Sequence, residues 1–385
     1  MFRLKIVIAI DSLKESLAST EAGEAAKAGI IRVYPKAEVF VRPLADGGEG
    51  TATALTLGLN GSFEKVIVTN PMGKKIEAMY GILPDNTAVI EMATAAGLTL
   101  ISKEERNPFY ATTYGVGELI RHAILKGCRR FIVGIGGSAT NDGGAGMLAA
   151  LGVKFLQSDG NEISLGAIGL KELSEIRTDD MLEELAKCEF RVACDVTNPL
   201  CGDNGASRIY SPQKGADPKS IPLMDGWLKQ YATLAKKIFP KADLNYPGVG
   251  AAGGLGFAFQ GFLNGALESG VKIVLEETKL EDYIKDADLV ITGEGRLDAQ
   301  TAMGKAPIGV AKIAKKYDKP VIAFAGAVTR DARELNAKGI DAFFPIARGV
   351  STLEDALNKN NARQNMTDAV EQAMRLINIY RGVKF

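Results

Sequence analysis

Residues 4–10, LKIVIAI, form a nearly unbroken apolar, β-branched run, the pattern of a strand covered on both faces. The chain then passes through DSLKES into STEAGEAAKAGIIRVYP, where apolar residues recur at helical spacing. Ser19 is the expected N-cap, and Pro35 lies past the expected end. A short strand, AEVFVRPL, leads through ADGGEGT to a second helical stretch, ATALTLGL. Strand, helix, strand, loop and helix in that order predict a parallel sheet.

The period changes after about Gly61. EKVIVTN, KKIEAMYGIL and TAVIEMATA are short strand-like runs separated by PMG and PDN, which predicts antiparallel or mixed pairing. A helix over YGVGELIRHAILKG and a strand over RRFIVGI follow, then VKFLQSDGNEI, which reads as a hairpin turning at Asp159-Gly160. GAAGGLG is expected to open a helix over FAFQGFLNGAL. From about Ala287 the strand–helix alternation returns in ADLVITGEG, APIGVAKIAKKYD, KPVIAFAGAV and DAFFPIAR, and an amphipathic helix closes the chain. The expected fold class is α/β in two domains. Residues 1–70 and 286–385 would form one discontinuous, doubly wound parallel domain, and 71–285 an inserted mixed α/β domain. A linear two-domain division is the rival arrangement.

A length of 385 residues supports more than one core. The 46 basic and 46 acidic residues balance, so no global field draws the chain to nucleic acid or to an anionic membrane. Four cysteines without a CxxC pair, and a single histidine, argue against zinc and against a disulfide framework. No run approaches the roughly 18 apolar residues of a membrane span. The expected compartment is the cytoplasm, and the expected partner a small molecule.

Six strand-like runs end in clusters of glycine, hydroxyl and acidic residues: DSLKES, ADGGEGT, GGSATNDGGAG, CDVTNPLCG, GAAGGLG and GEGRLDAQT. In open α/β sheets ligands bind at the carboxyl ends of strands, so such clusters can converge. Phosphoryl transfer needs this mixture. Backbone N–H groups and cations offset phosphate charge, acids hold Mg²⁺, and one carboxylate accepts the proton of the attacking hydroxyl. None of that requires histidine, and His122 lies between apolar residues of a helical pattern.

Plainer readings compete at each cluster. Asp11 and Ser12 could cap a turn, with Ser12 and Glu15 as a capping box. Asn198-Pro199 invites a turn beside Asp195, and the small residues at 250–256 could serve close helix packing. VGIGGSATNDGGAGML, residues 133–148, suggests a phosphate cradle but lacks the Lys of GxxxxGK[ST]. Gly304-Lys305 is a near miss of the same motif. Asp142 is expected as an N-cap, and Gly143 and Gly144 as the opening of a helix.

The ordered series DSLKESL, PLADGGEGTATAL, TTYGVGELIRHAI, GIGGSATNDGGAGMLAALGV, ACDVTNPLCGDNGAS, PQKGA, GAAGGLGFAF and DLVITGEGRLDAQTAMGKAPIGVA closely resembles the type 1 glycerate kinase family over essentially the whole chain. The resemblance implies transfer of phosphate from ATP, with Mg²⁺, to glycerate, usually at the 2-hydroxyl and in some relatives at the 3-hydroxyl. It also implies a flavodoxin-like domain and a mixed, restriction-enzyme-like domain with the site in the cleft between them. Ile10, Leu13 and Ala299 stand where many relatives have Pro, Phe and Gly. Under this reading Lys14 reaches the γ-phosphate and Arg296 pairs with the glycerate carboxylate. Asp46 and Asp195 hold metal or act as base, with Asp298 and Glu49 in reserve. Asp11, Ser12, Gly47, Gly48, Gly137, Ser138, Thr140, Asn141, Gly253, Gly254 and Glu294 are expected to contact substrate or nucleotide. Homodimer formation stays open, as do two alternatives: a kinase of another small hydroxy acid, and a non-catalytic sensor of a sugar acid or nucleotide.

Overall fold

The structure, a computed structural model, describes residues 3–382. The expected domain limits at 1–2 and 383–385 lie outside the described residues. Thirteen strands occur among the described residues: β1 (Lys5–Ile10), β2 (Glu38–Val41), β3 (Ser62–Thr69), β4 (Lys75–Ile82), β5 (Thr87–Glu91), β6 (Arg130–Gly134), β7 (Lys154–Leu156), β8 (Glu175–Arg177), β9 (Glu189–Ala193), β10 (Ala266–Glu268), β11 (Leu289–Leu297), β12 (Val321–Val328) and β13 (Ala342–Pro345). The chain divides into two compact units, 3–46 with 53–59 and 271–382, and 47–52 with 60–270.

The first unit holds an all-parallel sheet in the order β13-β12-β11-β1-β2. Counted by its own strands this is 2-1-3-4-5, so the winding direction reverses between β1 and β11, the position where open α/β sheets bind ligands. β1 and the first half of β11 are buried along their length, as their β-branched text predicts. One face is closed by the helices Ser19–Val33 and Lys359–Gly382, whose Ile30, Met366, Val370 and Met374 pack with Ile6, Ile8, Ile10 and Phe324. Burying an aliphatic side chain of that size stabilises by about 1.5–3 kcal/mol.

The second unit holds a mixed sheet, β10-β9-β6-β5-β4-β3, antiparallel from β3 to β5 and parallel from β5 to β10. β3 belongs here, so residues 62–69 fall outside the first domain in which they were expected. The Asn70–Lys74 turn pairs β3 with β4 along its whole length, which outweighs its closeness in sequence to the first unit. The expected hairpin at Asp159-Gly160 forms as a short one, with Leu156 bridging Glu162 and the Ile163 N–H donating to the Phe155 carbonyl. Its turn forms through Gln157 and Asn161, but β7 finds its ladder partner in β8. The helix expected to run to Leu267 stops at Phe262, and residues 266–268 become β10 beside β9. No helix among the described residues is long and apolar enough to cross a membrane.

Candidate functional site

In the first unit the chemistry gathers where β1 ends against the longer β11. Ile10 pairs with Gly293, so residues 294–297 of β11 run on past the end of β1. The Asp11 backbone N–H donates to the Gly293 carbonyl at 2.9 Å. Ser19 is not the N-cap of its helix. Its buried hydroxyl donates to the Ile10 carbonyl at 2.7 Å and accepts from the Leu44 N–H at 2.9 Å, which ties the ends of two chain segments together and brings Asp46 toward Asp11. Nor do Ser12 and Glu15 form a capping box. Leu13 and Leu17 exchange backbone hydrogen bonds, and Glu15 takes φ 69° in the tight turn between them.

Asp11 is 7% exposed and accepts from the Ser12 N–H at 2.6 Å. Burial first, then the Asp46 charge and more weakly that of Glu294, raise its pKa from 3.8 to about 7, against the pull of the Ser12 N–H and of Lys14. Glu294, also buried, accepts from the Thr301 hydroxyl at 2.5 Å and faces Lys305 at 3.9 Å. Its pKa is raised too, chiefly by burial. Asp298 caps the short helix Ala299–Ala302, accepting from the Gln300 N–H at 2.9 Å, and stands 3.4 Å from the exposed Arg296 guanidinium. Lys14 is exposed on the Leu13–Leu17 turn.

A half-buried Asp46 beside Asp11 offers the hard oxygen donors that Mg²⁺ takes, usually through one or two carboxylates with phosphates and water completing its shell. Among the described residues no group of three or more His, Cys, Asp and Glu side chains is arranged to hold an ion.

The second unit carries its own loop cluster. At the end of β6, Gly136 and Gly137 are exposed, while Ser138, Thr140, Asn141 and Asp142 are buried. Lys214, 1% exposed, donates to the Ser138 hydroxyl at 2.7 Å and to the Thr140 carbonyl at 2.6 Å. Burial lowers its pKa to about 7, with Asp142 opposing. Asn141 donates to the Ser207 hydroxyl at 2.9 Å. Asp142 is not an N-cap; Gly144 holds that position for the helix Ala145–Ala150. Its carboxylate accepts instead from the Thr113 N–H and hydroxyl and from the N–H groups of Gly144 and Gly146. Burial nevertheless pushes its pKa upward.

Gly253 and Gly254 support this loop from beneath. A Cβ on Gly253, at φ 67°, would lie 2.0 Å from the Thr140 carbonyl oxygen, and the Gly143 N–H donates to the Gly253 carbonyl. Gly47, at φ 89°, similarly touches Gly270, where a Cβ would meet the Gly270 Cα at 2.5 Å. Asp195, exposed past the end of β9, accepts from that same Gly270 N–H at 3.1 Å. Gly48 and Glu49 lie on the loop that Glu91 fastens through the Ala52 N–H at 2.8 Å.

Sequence reading singled out neither Lys214 nor Glu91. Lys214 stood inside PQKGA, and its one local signal is a long cation among turn residues. Glu91 ended an apolar strand run. The structure brings Asp11, Asp46 and Glu294 together, and separately Ser138, Thr140 and Asn141. Asp46 falls in the first compact unit and Asp195 in the second.

Comparison with known proteins identifies the family. Residues 6–378 match the model of the glycerate kinase family. The chain is 49% identical to the glycerate 2-kinase of Escherichia coli K12, over 92% of this chain and 93% of that protein. It is 47% identical to a glycerate kinase of Bacillus subtilis 168, again over 92% and 93%. A crystal structure from Salmonella typhimurium LT2, described as a "putative glycerate kinase 2", superposes with a TM-score of 0.92 at 45% identity, over 99% of this chain and all of that one. The chain belongs to the glycerate kinase family.

Proposed function

We propose that the protein is an ATP-dependent kinase that phosphorylates D-glycerate at its 2-hydroxyl, giving 2-phosphoglycerate and ADP. The observation that carries this reading is Asp11, a buried acid held at about 7 by burial and by Asp46 and Glu294, at the point where the winding of a parallel sheet reverses. A base poised near the working pH suits removal of a hydroxyl proton. The name of the Escherichia coli relative supports the choice of the 2-position. The 2-1-3-4-5 strand order supports a flavodoxin-like reading of the first unit.

In the reaction the glycerate hydroxyl oxygen forms a bond to the γ-phosphorus while the bond from that phosphorus to the β,γ-bridging oxygen breaks. ADP leaves, and the hydroxyl proton passes to Asp11. Arg296 pairs with the glycerate carboxylate, its planar fork matching two oxygens at once. Lys14 and Lys305 offset phosphoryl charge. Mg²⁺, when bound, would neutralise charge developing on the phosphates, with Asp46 and Asp195 its candidate ligands. Glycines 47 and 48, Glu49, and the 137–141 loop with Gly253 and Gly254 behind it serve substrate and nucleotide contact. ATP supply and four free thiols suit the cytoplasm.

Incubation of the full chain with MgATP and D-glycerate, with the product identified by phosphorus NMR, tests the proposal. A 2-phosphate resonance and stoichiometric ADP are expected. No ADP above background would sink it, and a 3-phosphate would overturn the regiochemistry. Turnover of tartronate or lactate in preference to glycerate would transfer the reading to another hydroxy acid.

A further inference from the structure

The 137–142 loop is held far more firmly than its glycine content suggests. From one side Lys214 grips Ser138 and Thr140 and Ser207 accepts from Asn141, both from the segment that runs through the helix Ala206–Tyr210 and the turn Pro212–Lys214. From beneath, Gly253 closes on Thr140, and Asp142 is anchored by four donors. Within this fixed frame two polar atoms, Thr140 Oγ1 and Asn141 Oδ1, are buried without a hydrogen-bond partner. A native protein rarely leaves such atoms unpaired without a ligand or water to serve them.

The Lys214 contact has a directional consequence. The ammonium form of Lys214 carries three N–H donors and no lone pair, so in that form Ser138 accepts from Lys214 at 2.7 Å and keeps its own proton to give elsewhere. Ser138 is 6% exposed, next to the exposed Gly137. With one lone pair occupied, the O–H has fewer orientations open to it, which lowers the ordering cost that falls on a ligand.

We propose that Lys214 is a positioning residue that fixes the Ser138 hydroxyl as a donor to an anionic oxygen of a bound ligand, either a phosphoryl oxygen of the nucleotide or the carboxylate of the hydroxy acid. The assignment rests on the kinase reading for the identity of its ligands, not for the geometry. Lys214 touches no ligand itself; it acts through Ser138.

Isothermal titration of MgADP and, separately, of D-glycerate into the wild type, Ser138→Ala, Lys214→Met and the double variant tests this, with melting temperature and KM and kcat measured alongside. Ser138→Ala is expected to weaken one of the two ligands by about tenfold, the size of one hydrogen bond to a charged oxygen. Lys214→Met should weaken the same ligand, and the double variant no further than the larger single loss. The ligand affected identifies the anionic group. Losses that multiply in the double variant, or a Lys214→Met protein that melts lower with both affinities unchanged, would overturn the proposal. Should Lys214→Met fail to fold, Ser138→Ala decides alone, since unchanged binding of both ligands refutes the role. A wild type that binds MgADP but never phosphorylates glycerate would remove the kinase reading and leave this one to the titrations.

Discussion

The proposed role of Asp11 as base is tested by its titration. Its rise from 3.8 to about 7 is equivalent to about 4 kcal/mol against the ionised form. If Asp11 accepts the hydroxyl proton, only its ionised fraction works, about a tenth at pH 6 and nine tenths at pH 8. The acid limb of kcat/KM should therefore rise with unit slope and bend at about 7. ATP titrates nearby as well, so the position of the limb in one enzyme decides nothing. Charge variants decide it. Asp46 is the strongest like-charged neighbour and Glu294 a weaker one, while Lys14 opposes them. Glu294→Gln should move the bend downward and Lys14→Met upward, because removing a like charge favours ionisation and removing a cation disfavours it, whereas Asp46→Asn also removes a proposed Mg²⁺ ligand and so alters two opposing charges at once. Heights will fall in all three, yet residual activity suffices to place the bend. Initial rates by coupled ADP assay from pH 5 to 9 give the limb. A bend that stays put in both Glu294→Gln and Lys14→Met, or an Asp11→Asn enzyme that keeps more than a tenth of wild-type turnover, refutes Asp11 as the base.

Arg296→Lys should raise KM for glycerate by about ten- to a hundredfold, the loss of a bidentate pair, with kcat and KM for ATP nearly unchanged in the same assay. Gly253→Ala places a methyl 2.0 Å from the Thr140 carbonyl at φ 67° and should destabilise the second unit by about 2 kcal/mol or more, read as a lower denaturation midpoint. Asp11→Asn should gain stability relative to wild type as pH rises. The folded carboxyl holds its proton up to about 7 whereas the unfolded one releases it near 3.8, so the wild type loses stability between those values and the asparagine does not. The difference should grow across that window to at most about 4 kcal/mol and then level off; denaturant titrations at pH 4.5 and 8 with equal differences would contradict it.

The parallel sheet was legible because both of its faces are covered. β1, the first half of β11 and β12 read as largely apolar runs, and a helix pattern stands between strands. What the text lacked was pairing. β3 is amphipathic enough to join either sheet, and the Asn70–Lys74 turn decides for β4. Residues 266–268 look like the tail of a helix, yet three of them complete a parallel pair with β9, more than 70 positions away. Such contacts have no local signature, so periodicity assigns element type well and sheet membership poorly. Ser19 shows the same limit at one residue. Its composition suits an N-cap, but joining Ile10 to Leu44 satisfies the hydroxyl twice.

The site repeats this division on a smaller scale. Residues 133–148 mix glycines, hydroxyls and an acid, and the sequence presents them as one ligand-binding motif. Burial separates them into two jobs. Asp142, Gly143 and Gly144 face inward, where one carboxylate satisfies four donors and two glycines admit neighbouring chain. Gly137 and Ser138 stand at the outer end. Both jobs select small and polar residues, so composition cannot tell support from contact; only the partner does. Lys214 supplies the partner for Ser138 from 76 residues away, which is why a loop without the expected lysine of a phosphate cradle still has a lysine at its centre. That lysine reaches the loop from inside the protein rather than through the ligand. On the proposal above, a cation so buried serves the geometry of the hydroxyl it holds, and the charge needed by a phosphate falls instead to groups such as the exposed Lys14.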